Sequence, residues 1–205
     1  MPYSQITYTP ANVSLTGFAS NVTGAAFTLT ATSSGDSLAH QISIRNDSAT
    51  DHSGKTVAAV GTDENGKAQT ETITAPGASA TVESAKYWMT LTSLTPSATI
   101  GADTFDIGWV DEFVTPTYPI NWRGESAAMN IGVTGTINYD VQQTFDDIQT
   151  KTTAYVWSVD VAATQSGATA TLPILYQAHP KGVRLLVNSY TSGATLTLSY
   201  TQISC

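Results

Sequence analysis

The sequence holds a single cysteine, Cys205, at the last of its 205 positions, so no disulfide can close within one copy and a cysteine-built metal cluster is excluded. An isolated terminal thiol with no histidine placed beside it reads as incidental, not as a nucleophile. Charge is scarce as well: charged residues make up 12%, about half the share usual in soluble domains. No apolar run approaches the roughly 18 residues of a membrane-spanning helix. The opening MPYSQITYTPANVS lacks the basic start and apolar stretch of a secretory signal, which gives the expectation of a soluble chain not exported by the usual route. There is no glycine-rich phosphate cradle ahead of a helix, and no segment has convincing helical amphipathicity.

What is present is apolar material for real cores, at 41% of residues, and a net charge of -8 from 16 acidic and 8 basic side chains. An acidic balance without basic runs disfavours binding to nucleic acid by phosphate neutralisation. Threonine, serine, asparagine and glutamine must supply most of the surface polarity. A surface of that kind packs against neighbours cheaply, because few charges lose their water.

Alternation dominates the pattern. In AFTLTA, Phe27 and Leu29 alternate with Thr28 and Thr30; in QISIRN, Ile42 and Ile44 alternate with Ser43 and Arg45. GTINYDVQQTF puts Ile137, Tyr139, Val141 and Phe145 on one face, and the scheme returns at Val183, Leu185 and Val187 and again at Leu196, Leu198 and Tyr200. A period of two is that of half-buried strands. Turn residues interrupt these runs at Ser34-Gly35-Asp36, His52-Ser53-Gly54, Asn65-Gly66, Pro76-Gly77, Ser166-Gly167 and Ser192-Gly193. Asn65-Gly66 predicts a hairpin with a type I′ turn, since both residues tolerate positive φ.

Pro116 and Pro119 in VDEFVTPTYPINW interrupt ladder pairing and mark a boundary. The expected fold is all-β, with two antiparallel β-sandwich domains of Ig-like or jelly-roll-like type. Residues 1–114, with about seven strands, form the first; residues 115–205, with five or six, form a smaller second. Trp109 and Trp122 flank the boundary and are expected to pin the domains together, whereas Trp157, alternating with Tyr155 and Val159, reads as core. In KYWMTLTSLT the apolar face is Tyr87, Met89 and Leu91, which leaves Trp88 on the threonine face as an outward anchor or an interdomain contact.

Catalytic and metal readings are thin. Gly35-Asp36-Ser37-Leu38 matches the short signature of GDSL esterases, but Tyr176, not an acid, stands three residues before the late His179. A hairpin turn is the simpler account of the string. Asp63-Glu64-Asn65-Gly66 faintly resembles the start of a calcium loop without its oxygen spacing or closing glutamate. Asp146-Asp147 and Asp111-Glu112 are adjacent strand or turn residues that point apart, so they read as solvated charges and not as joint ligands. His40, His52 and His179 are far apart in sequence and read as structural or exposed. Asn12, Asn21 and Asn46 head glycosylation sequons that mean little without a secretory route. No catalytic residue, cofactor or metal site is assigned; Trp88, Asn65 and Gly66 stand as candidate contacts.

The run GKTVAAVGTDENGKAQTETITAPGASATVESAKYWMTLTSLTPS resembles a module of virion structural proteins of tailed bacteriophages. It has a strand ending in Gly-Thr-Asp, an Asn-Gly tip, a Thr-Glu-Thr-Ile return strand, then an aromatic-bearing strand leading to SLTPSATIGADTFDIGW. The second half is similar to its companion: MNIGVTGTINYDVQQTFDD, a Trp-bearing strand, and a closing GVRLLVNSYTSGATLTLSYTQ. Together these cover most of residues 20 to 203. The resemblance implies a non-enzymatic virion component made in the host cytoplasm. Its partners would be copies of itself and the major capsid protein or neck and tail proteins. Repulsion from packaged DNA favours the outer capsid surface, or the neck and tail. A decoration or head-fibre protein is the first expectation and a neck, tail or fibre-attachment component the second. A carbohydrate-binding module using Trp88 and an esterase using Ser37 are the remaining alternatives.

Overall fold

Where apolar residues alternate with threonine, serine or asparagine, the chain is mostly extended and paired. The structure is a computed structural model describing residues 3–120, 126–151, 155–159, 166–176 and 180–203. Among the described residues it is all-β. The strands in chain order are β1 (Tyr3–Tyr8), β2 (Ser14–Val22), β3 (Ala39–Asn46), β4 (Thr56–Thr62), β5 (Ala68–Thr74), β6 (Thr81–Trp88), β7 (Thr90–Pro96) and β8 (Phe105–Val114). They continue as β9 (Tyr118–Pro119), β10 (Ser126–Thr134), β11 (Ile137–Thr144), β12 (Ser158–Val159), β13 (Leu172–Tyr176), β14 (Gly182–Tyr190) and β15 (Thr195–Ile203). Two compact units form: Ala11–Val114, and Met1–Pro10 together with Thr115–Cys205.

In Ala11–Val114 the pairs β2-β8, β8-β3 and β3-β6 build one antiparallel sheet, and β5-β4-β7 builds a second. Ile42 and Ile44 of β3 and Phe105 and Ile107 of β8 meet Val57 and Ala59 of β4 and Leu91 and Leu94 of β7 in one apolar cluster. All eight are at most 1% exposed. Each large aliphatic side chain so buried stabilises the unit by about 1.5–3 kcal/mol.

The β3-β6 ladder slips between Gln41 and Ser43, and the displaced backbone donors are caught by side chains. The Ile42 N–H donates to Ser84 Oγ (2.9 Å), whose hydroxyl donates to the Lys86 carbonyl (2.7 Å). The Ala85 and Lys86 N–H groups donate to the two oxygens of Glu71 on β5 (2.7 and 3.1 Å).

Several sequence expectations change here. Phe27 and Leu29 lie outside any strand; Phe27 forms only an isolated bridge to Leu94 and packs on Phe105 at 5.6 Å. Trp109 does its work inside Ala11–Val114, edge-on to Phe18 at 5.0 Å, with its indole N–H donating to the Asn12 carbonyl (3.0 Å). Its proposed companion at the boundary, Trp122, lies outside the described residues. Gly17 is required by that tryptophan: a Cβ there would stand 2.1 Å from Trp109 Cζ3.

The other unit pairs β1-β15-β10-β13 in one antiparallel sheet and β12-β11-β14-β9 in another. β1 is matched from Tyr3↔Thr201 to Tyr8↔Leu196, so the first residues belong with the last. Tyr8 and Tyr118 hydrogen-bond through their hydroxyls. Ile137, Tyr139 and Val141 are fully buried, as their alternation predicts. The Tyr139 hydroxyl donates to the Ala170 carbonyl (2.8 Å), and burial pushes its phenol up to about 12. Phe145 departs from the pattern. It lies just past the end of β11 and is 59% exposed, while Thr144 turns inward. Trp157 is half-buried and not core: the Arg184 guanidinium lies over its ring at 4.3 Å, and Tyr155 meets it edge-on.

Gly17→Ala is expected to destabilise the protein by about 2–4 kcal/mol, since the added methyl displaces a packed indole. Chemical denaturation followed by Trp fluorescence measures it, and a loss under about 0.5 kcal/mol, the level of an ordinary surface substitution, contradicts the packing.

Candidate functional site

The esterase-like string lands in the loop ahead of β3. Asp36 accepts from the backbone N–H groups of Ala11 (2.7 Å) and Leu38 (3.0 Å) and from the Ser34 hydroxyl (2.6 Å). Its Oδ2 also meets His40 Nε2 at 2.8 Å, with the histidine fully buried. The other ring nitrogen, Nδ1, faces the Val110 carbonyl at 3.2 Å. Both ring nitrogens are therefore engaged by oxygens, one of Asp36 and one of Val110. Ser37 is exposed and held at φ 63°, a conformation imposed by the turn. The arrangement ties the loop to β3; it does not build a charge relay. His179, the late histidine of the esterase comparison, lies outside the described residues.

Burial would raise the Asp36 carboxyl, but the hydrogen bond and charge of His40, with the Ala11 and Ser34 donors, outweigh it and hold the group at about 2. A carboxyl depressed by folding gives stability that is complete above its unfolded value near 3.8 and is lost as pH falls through about 2.

Asn65 and Gly66 sit at the exposed tip between β4 and β5, where a hairpin is expected. The turn type differs. Only Gly66 has positive φ (75°), the Gly66 N–H donates to the Asp63 carbonyl (3.0 Å), and the Asp63 N–H donates to the Lys67 carbonyl (2.9 Å). This is a type I turn closed by a left-handed glycine, a three-residue loop instead of the two-residue type I′. The Asp63 carboxylate makes it possible by accepting from the Asn65 and Lys67 N–H groups, both at 2.9 Å. Its Oδ1 is thereby engaged in the turn and not turned toward a cation.

Trp88 corrects an expectation outright: it is 1% exposed and belongs to the core, so it cannot serve as an outward anchor or a sugar platform. The alternation misleads because KYWMTLTSLT is not one strand. The chain leaves β6 at Trp88 and enters β7, in the other sheet, at Thr90, so both Trp88 and Leu91 turn toward the shared core.

Two further groups of titratable side chains also hold backbone or one another. His52 lies between Asp103 (2.9 Å) and the Lys55 ammonium (2.9 Å), which also donates to the Thr99 carbonyl (2.8 Å). Asp146 accepts from Lys151 and Val156 N–H, and Asp147 from the Thr150 hydroxyl and Gln149 N–H. These contacts hold both carboxyls below the ordinary value, Lys151 being the main cause for Asp146 and Thr150 for Asp147.

One surface was not singled out by motif. No residue of β1, β10, β13 or β15 is charged. On one face of that sheet Ser199, Asn130 and Pro173 line up across β15, β10 and β13, as do Thr201, Ala128 and Leu175. These six line an open hollow of about 410 Å³, with Leu175 64% exposed. The signal was in the sequence, as four segments without a single acidic or basic residue, but only pairing shows that they are neighbours.

No family model, curated protein or solved structure matches the chain.

Two outcomes are expected. Between about pH 4 and pH 2 the wild type loses on the order of 1–2 kcal/mol that Asp36→Asn does not, after discounting for partial solvent screening; urea melts at each pH read the two slopes, and parallel slopes contradict the assignment. Ser37→Ala leaves hydrolysis of an activated ester at the wild-type rate, and a drop of tenfold or more would restore the esterase reading.

Proposed function

We propose that the chain is a non-enzymatic structural component of a tailed-phage virion, a capsid decoration or head-fibre protein on the outer shell. Its two units would each be an antiparallel β-sandwich of Ig-like or jelly-roll-like type. The observation that carries this reading is the exposed, charge-free face of the β1-β15-β10-β13 sheet on a chain of net charge -8. Such a face loses little hydration when a neighbour covers it.

Two further features support the reading. Asp36, His40, His52, Asp63 and Glu71 are spent on backbone and on one another, as in a scaffold. The phage-module resemblance of the sequence points the same way. In a symmetric shell, individually weak contacts repeated many times give firm attachment.

Localisation tests the proposal. In a cryo-EM map of the intact particle the chain is expected as repeated density at symmetry-related positions on the outer shell, and particles lacking it should burst more readily on heating. Density confined to the portal or tail would reassign it to the neck or tail. Absence from purified particles would overturn the virion reading altogether.

A further inference from the structure

We propose that the uncharged face of the β1-β15-β10-β13 sheet is the surface through which two copies of this chain join, face to face. The proposal rests on the assembly reading above and names the partner for that surface.

Charge selects a second copy as the occupant. Of the 16 acidic residues eleven lie in Ala11–Val114, with four of the 8 basic ones, so that unit carries nearly all of the net charge. Met1–Pro10 and Thr115–Cys205 hold five acidic and four basic residues and are close to neutral. Two copies of an acidic protein repel over most of their surfaces. Contact is least opposed on the near-neutral unit, and there on the sheet without a charged residue. The same face on a partner copy meets that condition, since none of its four strands carries a charged residue.

Shape and area agree. Four strands about 4.8 Å apart, the longest near 30 Å, present on the order of 500 Å² of projected surface, within reach of the roughly 800 Å² of accessible surface each partner gives to a standard interface. Leu175 lines the 410 Å³ hollow and is 64% exposed, and a two-fold axis would let each copy's leucine reach the other's hollow. Ser199 and Thr201 each carry a donor and an acceptor, so they can satisfy one another across such an axis.

The test is sedimentation of the full chain over a dilution series. Wild type is expected to associate reversibly, and added salt should strengthen the association by screening the like net charges. Ala128→Glu, or the nearly isosteric Asn130→Asp if the first fails to fold, should weaken association by about a hundredfold, because each copy then buries a carboxylate in the shared face with no opposite charge to meet it. Mixing Ala128→Glu with Ala128→Lys should restore it, since the two substituted positions then attract. A wild type that stays monomeric, a charged variant that associates like wild type, or a mixture that stays apart overturns the proposal. Because the isolated protein is used, failure here leaves particle localisation untouched, and a self-associating protein missing from particles would sink only the virion reading.

Discussion

The apolar side chains that the two sheets of Ala11–Val114 turn into one cluster set the conditions for everything around them. Ile42, Ile44, Phe105 and Ile107 leave water only if β3 and β8 are paired, and pairing must then be complete, because an unpaired buried N–H or carbonyl costs about as much as a large side chain gains. Where the ladder breaks, a side chain repairs it. Ser84 and Glu71 do so at the β3-β6 slip, Asp36 at the loop before β3, and Asp63 at the β4-β5 turn. Asn46, 1% exposed, does it three times over, accepting from Ser48 and donating to the Thr50 and Gly77 carbonyls. These five polar side chains therefore complete the hydrogen bonding that the ladders leave open.

That division explains what sequence could and could not reveal. Strand positions such as Ile42, Ile44, Ile137, Tyr139 and Val141 were legible because the period-two pattern is created by the same one-sided burial it predicts. Trp88 was not, because an alternation read across a sheet change assigns two strands to a single face. Phe27 looked like strand for the same local reason, yet its partners are a lone bridge and an aromatic ring. The Asn-Gly tip located a turn but not its type, which Asp63 decides through two hydrogen bonds that composition does not encode.

The site was less legible than the fold. Gly35-Asp36-Ser37-Leu38 drew attention to Ser37, while the informative residue was Asp36, whose role emerges only when His40 and Ala11 are placed around it. The uncharged sheet lay in plain view as four segments lacking acidic and basic residues, but they are separated by up to more than a hundred positions and become one surface only through the β1-β15-β10-β13 register. Surfaces defined by what they omit have no motif.

The pairing of β1 with β15 has a consequence for how the chain is made. At about 5–20 residues per second, the ribosome needs on the order of 10–40 s to travel from Tyr8 to Thr195. Throughout that interval Ala11–Val114 is free to fold, but the stretch ahead of it has no mate. YSQITY carries no charge to discourage another strand from docking. The β1-β15 ladder therefore closes only after β15 has emerged, well after the strands of Ala11–Val114 are available to pair with one another.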